Sequence, residues 1–185
     1  MNFLLAISRG IDAAQDQFGK ALRWLILISV LVSSINAMVR FAISRSSNAW
    51  LELQWYLFSA VFLLGAGYTL LKNEHIKIDI VNSHLPKRVR DWIELFGHVF
   101  FLLPFCLVMI LTSLNYFWRS YAGGEMSANA GGLIMWPAKL MIPVGFAILL
   151  LQGVSEFIKR IAVMRNMIPD PHASSAAHGA HGMEA

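Results

Sequence analysis

The chain has very little cysteine and very little charge. Its single cysteine, Cys106, lies inside an apolar run, which excludes an intrachain disulfide and leaves no thiolate cluster for a metal. The composition therefore says nothing about redox compartment. Charged residues make up 14% of the 185 positions against 57% hydrophobic, whereas a soluble domain carries about 25% charge. That scarcity excludes an ordinary water-soluble globule and makes lipid the expected solvent. Acidic residues are fewer than basic ones, giving a net charge of +4 and a pI near 9.5. In a soluble protein such a balance would point to nucleic acid. Here the basic residues fall between apolar runs, which is the pattern of membrane topology, so no nucleic-acid partner is expected.

Four apolar runs are long enough to cross a bilayer, which takes about 20 helical residues. They cover about 22–43, 50–71, 92–117 and 136–158. Trp24, Trp50, Trp55, Tyr56, Trp92, Tyr116, Trp118 and Trp136 gather near their ends, where amphipathic rings favour the headgroup zone. Pro104 and Pro143 fall inside the last two runs and are expected to kink them, the freed carbonyls being re-satisfied by neighbours. Of the 15 Lys and Arg residues, 11 lie in the N-terminal segment, the connection between the second and third runs, and the C-terminal segment. Arg40, Arg45, Arg119 and Lys139 lie on the other side. Both termini and the central connection are thus expected in the cytoplasm.

The start of the chain lacks the basic n-region, the long apolar core and the cleavage site of a signal peptide, and it is expected to be retained. Over residues 1–21 and into the first run, Leu4, Ile7, Ile11, Ala14, Phe18 and Leu22 recur in steps of three and four, while Arg9, Asp12, Asp16 and Lys20 take the other face. This periodicity predicts an amphipathic helix on the cytoplasmic surface, leading into a four-helix domain over 22–158, rather than a frayed tail. Residues 159–185 comprise a basic segment and a small, polar, proline-broken tail that has too little apolar surface to order itself. Its His172, His178 and His181 have nothing to fix them as metal ligands.

Chemistry is scarce, and each candidate has a plain structural reading beside it. The stretch "NEHIKIDIV" at 73–81 brings Glu74, His75, Lys77 and Asp79 together between the second and third runs. Acid, histidine and acid within six positions suit general acid–base work or a metal. Pro86 and the stripe Val89, Trp92, Ile93 and Phe96 nevertheless mark a helix start just beyond. The connection is then short and interfacial, and its charges, with Arg90 after it, are expected to orient and dock. Polar residues within the runs are costly in hydrocarbon: Asn36, Arg40, Glu52, Gln54, Glu94, His98, Lys139 and Glu156. His98 is the deepest titratable one; without a histidine on a facing run it suits a hydrogen bond to a neighbouring helix or subunit better than haem. A small proton-coupled exporter would use one intramembrane carboxylate, but Glu52 lies close to the end of its run. The connection "RSYAGGEMSANAGGLIMWPAK" has two Ala-Gly-Gly elements and reads as a flexible periplasmic loop, in which Glu125 and Asn129 are candidate partner contacts. No cofactor, catalytic, substrate or metal site is expected in this chain.

The ordered combination "GAGYTLLKNEHIKIDIV", "LPKRVRDWIELFG" and "YFWRSYAGGEMSANAGGLIMWPAKLMIPVGFAILLLQGVSEFIKR" resembles the small membrane subunit of tripartite ATP-independent periplasmic (TRAP) transporters, the DctQ type, over about residues 20–160. The resemblance implies an all-α subunit of the bacterial inner membrane with four transmembrane helices and no enzyme activity. It also implies pairing with a large TRAP membrane subunit, which holds the sodium and substrate sites, and through the complex with a periplasmic substrate-binding protein. The small subunit would enlarge the stationary scaffold, and the substrates implied are organic anions. Glu74, His75, Lys77 and Asp79 would then serve orientation and subunit contact.

Overall fold

The computed structural model describes residues 2–43, 47–72, 86–165 and 167–169. α1 (Asn2–Ile43) is one unbroken helix of 42 residues, about 63 Å long at ~1.5 Å per residue. α2 (Asn48–Leu71) returns beside it. α3 (Lys87–Gly97) passes through a five-residue π-helical turn, His98–Leu102, into α4 (Leu103–Ala122). α5 (Trp136–Met164) closes the bundle. Among the described residues four helical segments are long and apolar enough to cross a membrane: Phe3–Ile43, Asn48–Leu71, Val89–Ala122 and Trp136–Met164. Each contains one of the four runs, and among the described residues no strand forms. The fold is that of an all-α membrane protein.

Both prolines are absorbed without ending their helices. Pro104 lies in the first turn of α4, and just before it the Leu103 N–H donates to the His98 carbonyl, five residues back. The wider π turn takes up the ladder bond that a proline cannot make. Pro143 lies inside α5, which continues through it; it offers no N–H to the carbonyl of Lys139.

α5 is the centre of the packing, touching α1, α2 and the third span, while α1 and α2 pair with each other. Glycines set the closest approaches. A Cβ on Gly145 would lie 2.8 Å from the Leu63 carbonyl oxygen, and one on Gly67 would lie 2.8 Å from the Ile148 side chain. A Cβ on Gly19 would enter the Tyr68 ring. Small residues that let backbones meet are how helices associate where lipid removes the hydrophobic drive.

The interior is polar and the exterior apolar. Among the described residues the buried apolar ones are only Leu22, Ala60, Cys106, Ala162 and Val163, whereas Gln15, Asn36, Glu52, Asp91, Lys139, Gln152 and Glu156 are among the buried polar ones. Phe41, Phe62 and Phe101 are 91%, 79% and 68% exposed. Such a surface is ruinous in water and ordinary against acyl chains.

The N-terminal segment departs from its expected form in one respect. It is helical, but it runs into the first span without a break, and Ser8, Gln15 and Gly19 face the bundle while Phe3, Leu4, Ile7 and Phe18 face outward. Of the polar stripe read from sequence, Arg9 and Lys20 remain exposed, Asp12 is turned to α5, and Asp16 pairs with Lys72 and Lys20. The tail from residue 170 onward lies outside the described residues.

Candidate functional site

Two polar clusters occupy opposite ends of the bundle. The first begins with spacing: Ser8, Asp12, Gln15 and Gly19 on α1, and Ile148, Gln152, Ser155 and Lys159 on α5, each recur at three or four residues, so each set shares a helix face. The faces meet antiparallel. Asp12 Oδ1 accepts from Ser155 Oγ at 2.7 Å and Gln152 Nε2 at 3.0 Å, and Asp12 Oδ2 accepts from Lys159 Nζ at 2.9 Å. Lys159 also reaches Glu156 at 2.5 Å, Ser8 and Ser155 share a hydrogen bond of 2.7 Å, and Gln15 Nε2 donates to the Ile148 carbonyl at 3.1 Å. Next to Lys159 on α5, Arg160 extends Nη1 to Asp91 at 3.0 Å and Nη2 to Glu94 on α3. Asp16 joins Lys72, the residue that caps α2, at 2.7 Å and Lys20 at 2.5 Å.

The second cluster holds the connection between α4 and α5. Glu52, 4% exposed near the start of α2, uses both oxygens. Oε1 accepts from Ser127 Oγ and from Asn129 Nδ2 at 2.8 Å, and Oε2 accepts from the Leu133 N–H at 2.6 Å. The connection itself is a short antiparallel hairpin. Met126 bridges Ile134, Ser127 N–H donates to Leu133 O, and Met135 N–H donates to Glu125 O, both at 2.9 Å. The Gly132 N–H closes a turn onto Asn129 O at 3.0 Å. Gly131, at φ 71°, takes the left-handed position that a type II turn demands of its third residue. Asn48 Nδ2 donates to Ala130 O at 2.9 Å and Tyr56 Oη to Ile134 O at 3.0 Å. Lys139 pairs with Glu125 and lies 4.0 Å from the centre of the Tyr116 ring. The Lys139 ammonium, followed by Ser120, holds the Glu125 carboxyl below its ordinary range. That bond therefore persists at neutral pH and is lost only as pH falls through the lowered value.

The loop expected to be flexible is thus fastened at its tip and both flanks. Glu125 and Asn129, expected to face a partner, have bonds within the chain to Lys139 and Glu52. His98 Nδ1 lies 2.7 Å from the Glu94 carbonyl of its own helix, at the entry to the π turn. Arg90 is half-buried on α3. Glu74, His75, Lys77 and Asp79 lie outside the described residues. Among the described residues no three His, Cys, Asp or Glu side chains gather where one metal ion would reach them.

Sequence reading did not single out Asp12, Asp91, Gln152, Ser155, Lys159 or Arg160 as members of a site. The signal was present in α5, where Gln152, Ser155, Glu156 and Lys159 make a polar stripe at helical spacing within an apolar run. In lipid such a stripe has to face protein.

A family model described as tripartite ATP-independent periplasmic transporters, DctQ component, matches residues 29–163, well over half of the chain. The chain belongs to the DctQ family. It is therefore a small component of a TRAP transporter and a multi-pass membrane protein. The DctQ match takes in the hairpin, Glu52 and Arg160, and begins after Asp12 and Asp16 of α1. No curated protein matches the chain significantly.

Proposed function

We propose that this DctQ chain is a non-catalytic scaffold in the bacterial inner membrane, bound to a large TRAP membrane subunit that imports an organic anion with sodium. A periplasmic substrate-binding protein would deliver the anion to the assembled complex. Both termini and the 73–85 connection lie in the cytoplasm in this reading, as the basic residues are distributed. The hairpin then lies in the periplasm. The apolar outer face of the N-terminal half of α1 suits contact with the cytoplasmic leaflet.

One observation carries the scaffold reading. The buried charged side chains among the described residues are Glu52, Asp91, Lys139 and Glu156, and each is held by a partner in this chain. A transport pathway needs charged groups that exchange partners with an ion or substrate. The same observation weighs against a proton-coupled exporter, whose carboxylate must bind and release a proton, because both oxygens of Glu52 are engaged by the hairpin.

The connection between α2 and α3 supplies the test. Solvated charges are worth about 0–1 kcal/mol, whereas removing one member of a buried pair costs about 3–5 kcal/mol. Replacing both Glu74 and Asp79 by Ala is expected to reduce co-purification of the large subunit and, in proportion, anion uptake. Full assembly with transport lost would contradict the scaffold reading and place these residues in the transport cycle.

A further inference from the structure

We infer that the third span carries a binding groove for an anionic phospholipid, with an acyl chain lying in an open slot at Gly97 and the headgroup meeting Arg90. Only the leaflet, which is the cytoplasmic one, rests on the proposed orientation.

Glycine in a helix interior costs about 1 kcal/mol relative to alanine, so a glycine inside a span calls for a reason. Gly67, Gly145 and Gly153 have theirs within the chain, since a Cβ on each would lie 2.7, 2.8 and 2.9 Å from an atom of a neighbouring helix. Gly97 has none there. A Cβ on it would meet no atom of the chain within 4 Å, and the space before it is an open groove of about 360 Å³ lined by Gly97, Phe101, Leu102 and Phe105. The π-helical turn His98–Leu102 follows directly and widens the helix at that point. Leu102 packs over the Gly153 position and the Phe105 ring meets Phe146 edge-on at 5.6 Å, both on α5. The groove therefore borders the seam between the third span and α5.

In hydrocarbon such a slot can take another helix or an acyl chain. A helix backbone approaches closely over small residues spaced four apart, but the residue four beyond Gly97 is Phe101, exposed, with the exposed Phe105 one turn further. Rings along that line hold a helix away. A flexible chain of methylenes threads between them.

Charge completes the match. Arg90 precedes Gly97 by seven residues on the same helix face, which places it about 10 Å nearer the helix start. It is half-buried, and no acidic side chain among the described residues pairs with it: Asp91 and Glu94, the two acids of α3, both bond Arg160. Trp92, exposed two positions on, marks the headgroup level. A cation at that level above an apolar slot suits a lipid of net negative headgroup, as basic pockets at cytoplasmic helix ends do.

The experiment offers equal amounts of phosphatidylglycerol and phosphatidylcholine, with the same acyl chains, to the full-length chain purified in detergent, and reads the retained lipid by native mass spectrometry. The unaltered chain is expected to hold phosphatidylglycerol roughly fivefold more tightly, the effect of one basic residue at a membrane surface. Arg90→Gln should erase that preference and Arg90→Lys should keep it. Gly97→Leu fills the slot without touching the chain, so it should lower retention of both lipids while the melting temperature is unchanged or raised. Equal retention by the unaltered chain, or a preference that survives Arg90→Gln, would overturn the inference. Undiminished lipid retention in Gly97→Leu would do so too, and a simultaneous loss of large-subunit recovery would make the slot that subunit's seat. Because binding is read in detergent, an inverted topology would move the lipid to the other leaflet without changing these outcomes.

Discussion

Replacing Arg160 by Ala is expected to be among the most damaging single changes in this chain. Arg160 is the cation through which α5 holds α3, bonding Asp91 and Glu94 in side-chain environments only 7% and 15% exposed. Removing it takes from both carboxylates the cation they share, a loss of about 3–5 kcal/mol for a buried ion pair broken from one side. That is a large part of the stability of a typical domain. The purified protein should unfold at markedly lower temperature, and its level in membranes should fall. The diagnosis is tested by relieving the carboxylates as well. Arg160→Met combined with Asp91→Asn and Glu94→Gln should be much less harmful than Arg160→Ala alone, because the carboxylates are neutralised together with the cation. Equal damage from both variants would show that packing of the arginine stem, and not its charge, is what matters.

Glu52→Ala should release the hairpin while leaving the helices in place. Three donors, Ser127 Oγ–H, Asn129 Nδ2–H and the Leu133 N–H, lose their acceptor together. Fully buried donors left unsatisfied cost about 1–3 kcal/mol each, and these part-buried ones cost less, because water reaches Asn129 at the surface. The expected result is amide exchange at Ser127, Leu133 and Met135 faster by about 10-fold to 100-fold, as the hairpin opens locally, together with new protease cleavage between residues 123 and 135. Glu52→Gln keeps one carbonyl acceptor and should fall between the two. Unchanged protection in Glu52→Ala would mean that the cross-hairpin bonds alone hold the segment.

The contrast between these two clusters shows which parts of the molecule were legible in advance. The four spans were, because hydrocarbon thickness imposes a length and a composition that few soluble sequences meet, and the aromatic residues at their ends marked the same boundaries. The hairpin was not. Its order comes from Glu52, which lies 75 positions from Ser127 in sequence, while the local Ala-Gly-Gly elements argue correctly for a loop and wrongly for a mobile one. In the N-terminal segment Arg9 and Lys20 are exposed as an outward polar face requires, but Asp12 of the same stripe turns to α5. Periodicity fixes which residues share a face, but whether Asp12 looks to water or to α5 depends on Lys159 and Ser155, far along the chain. Glu52, Glu94 and Glu156 were noticed for the cost of burying charge; their partners were harder to see, because long-range pairing leaves no local signature.

The measurement that bears most directly on the scaffold account is reconstitution into liposomes. This chain alone is expected to move neither organic anion nor proton, and uptake should appear only when the large subunit and the soluble binding protein are added, with sodium present outside. Flux through liposomes containing this chain alone, abolished by Glu52→Gln, would contradict the account and make the subunit a transporter in its own right.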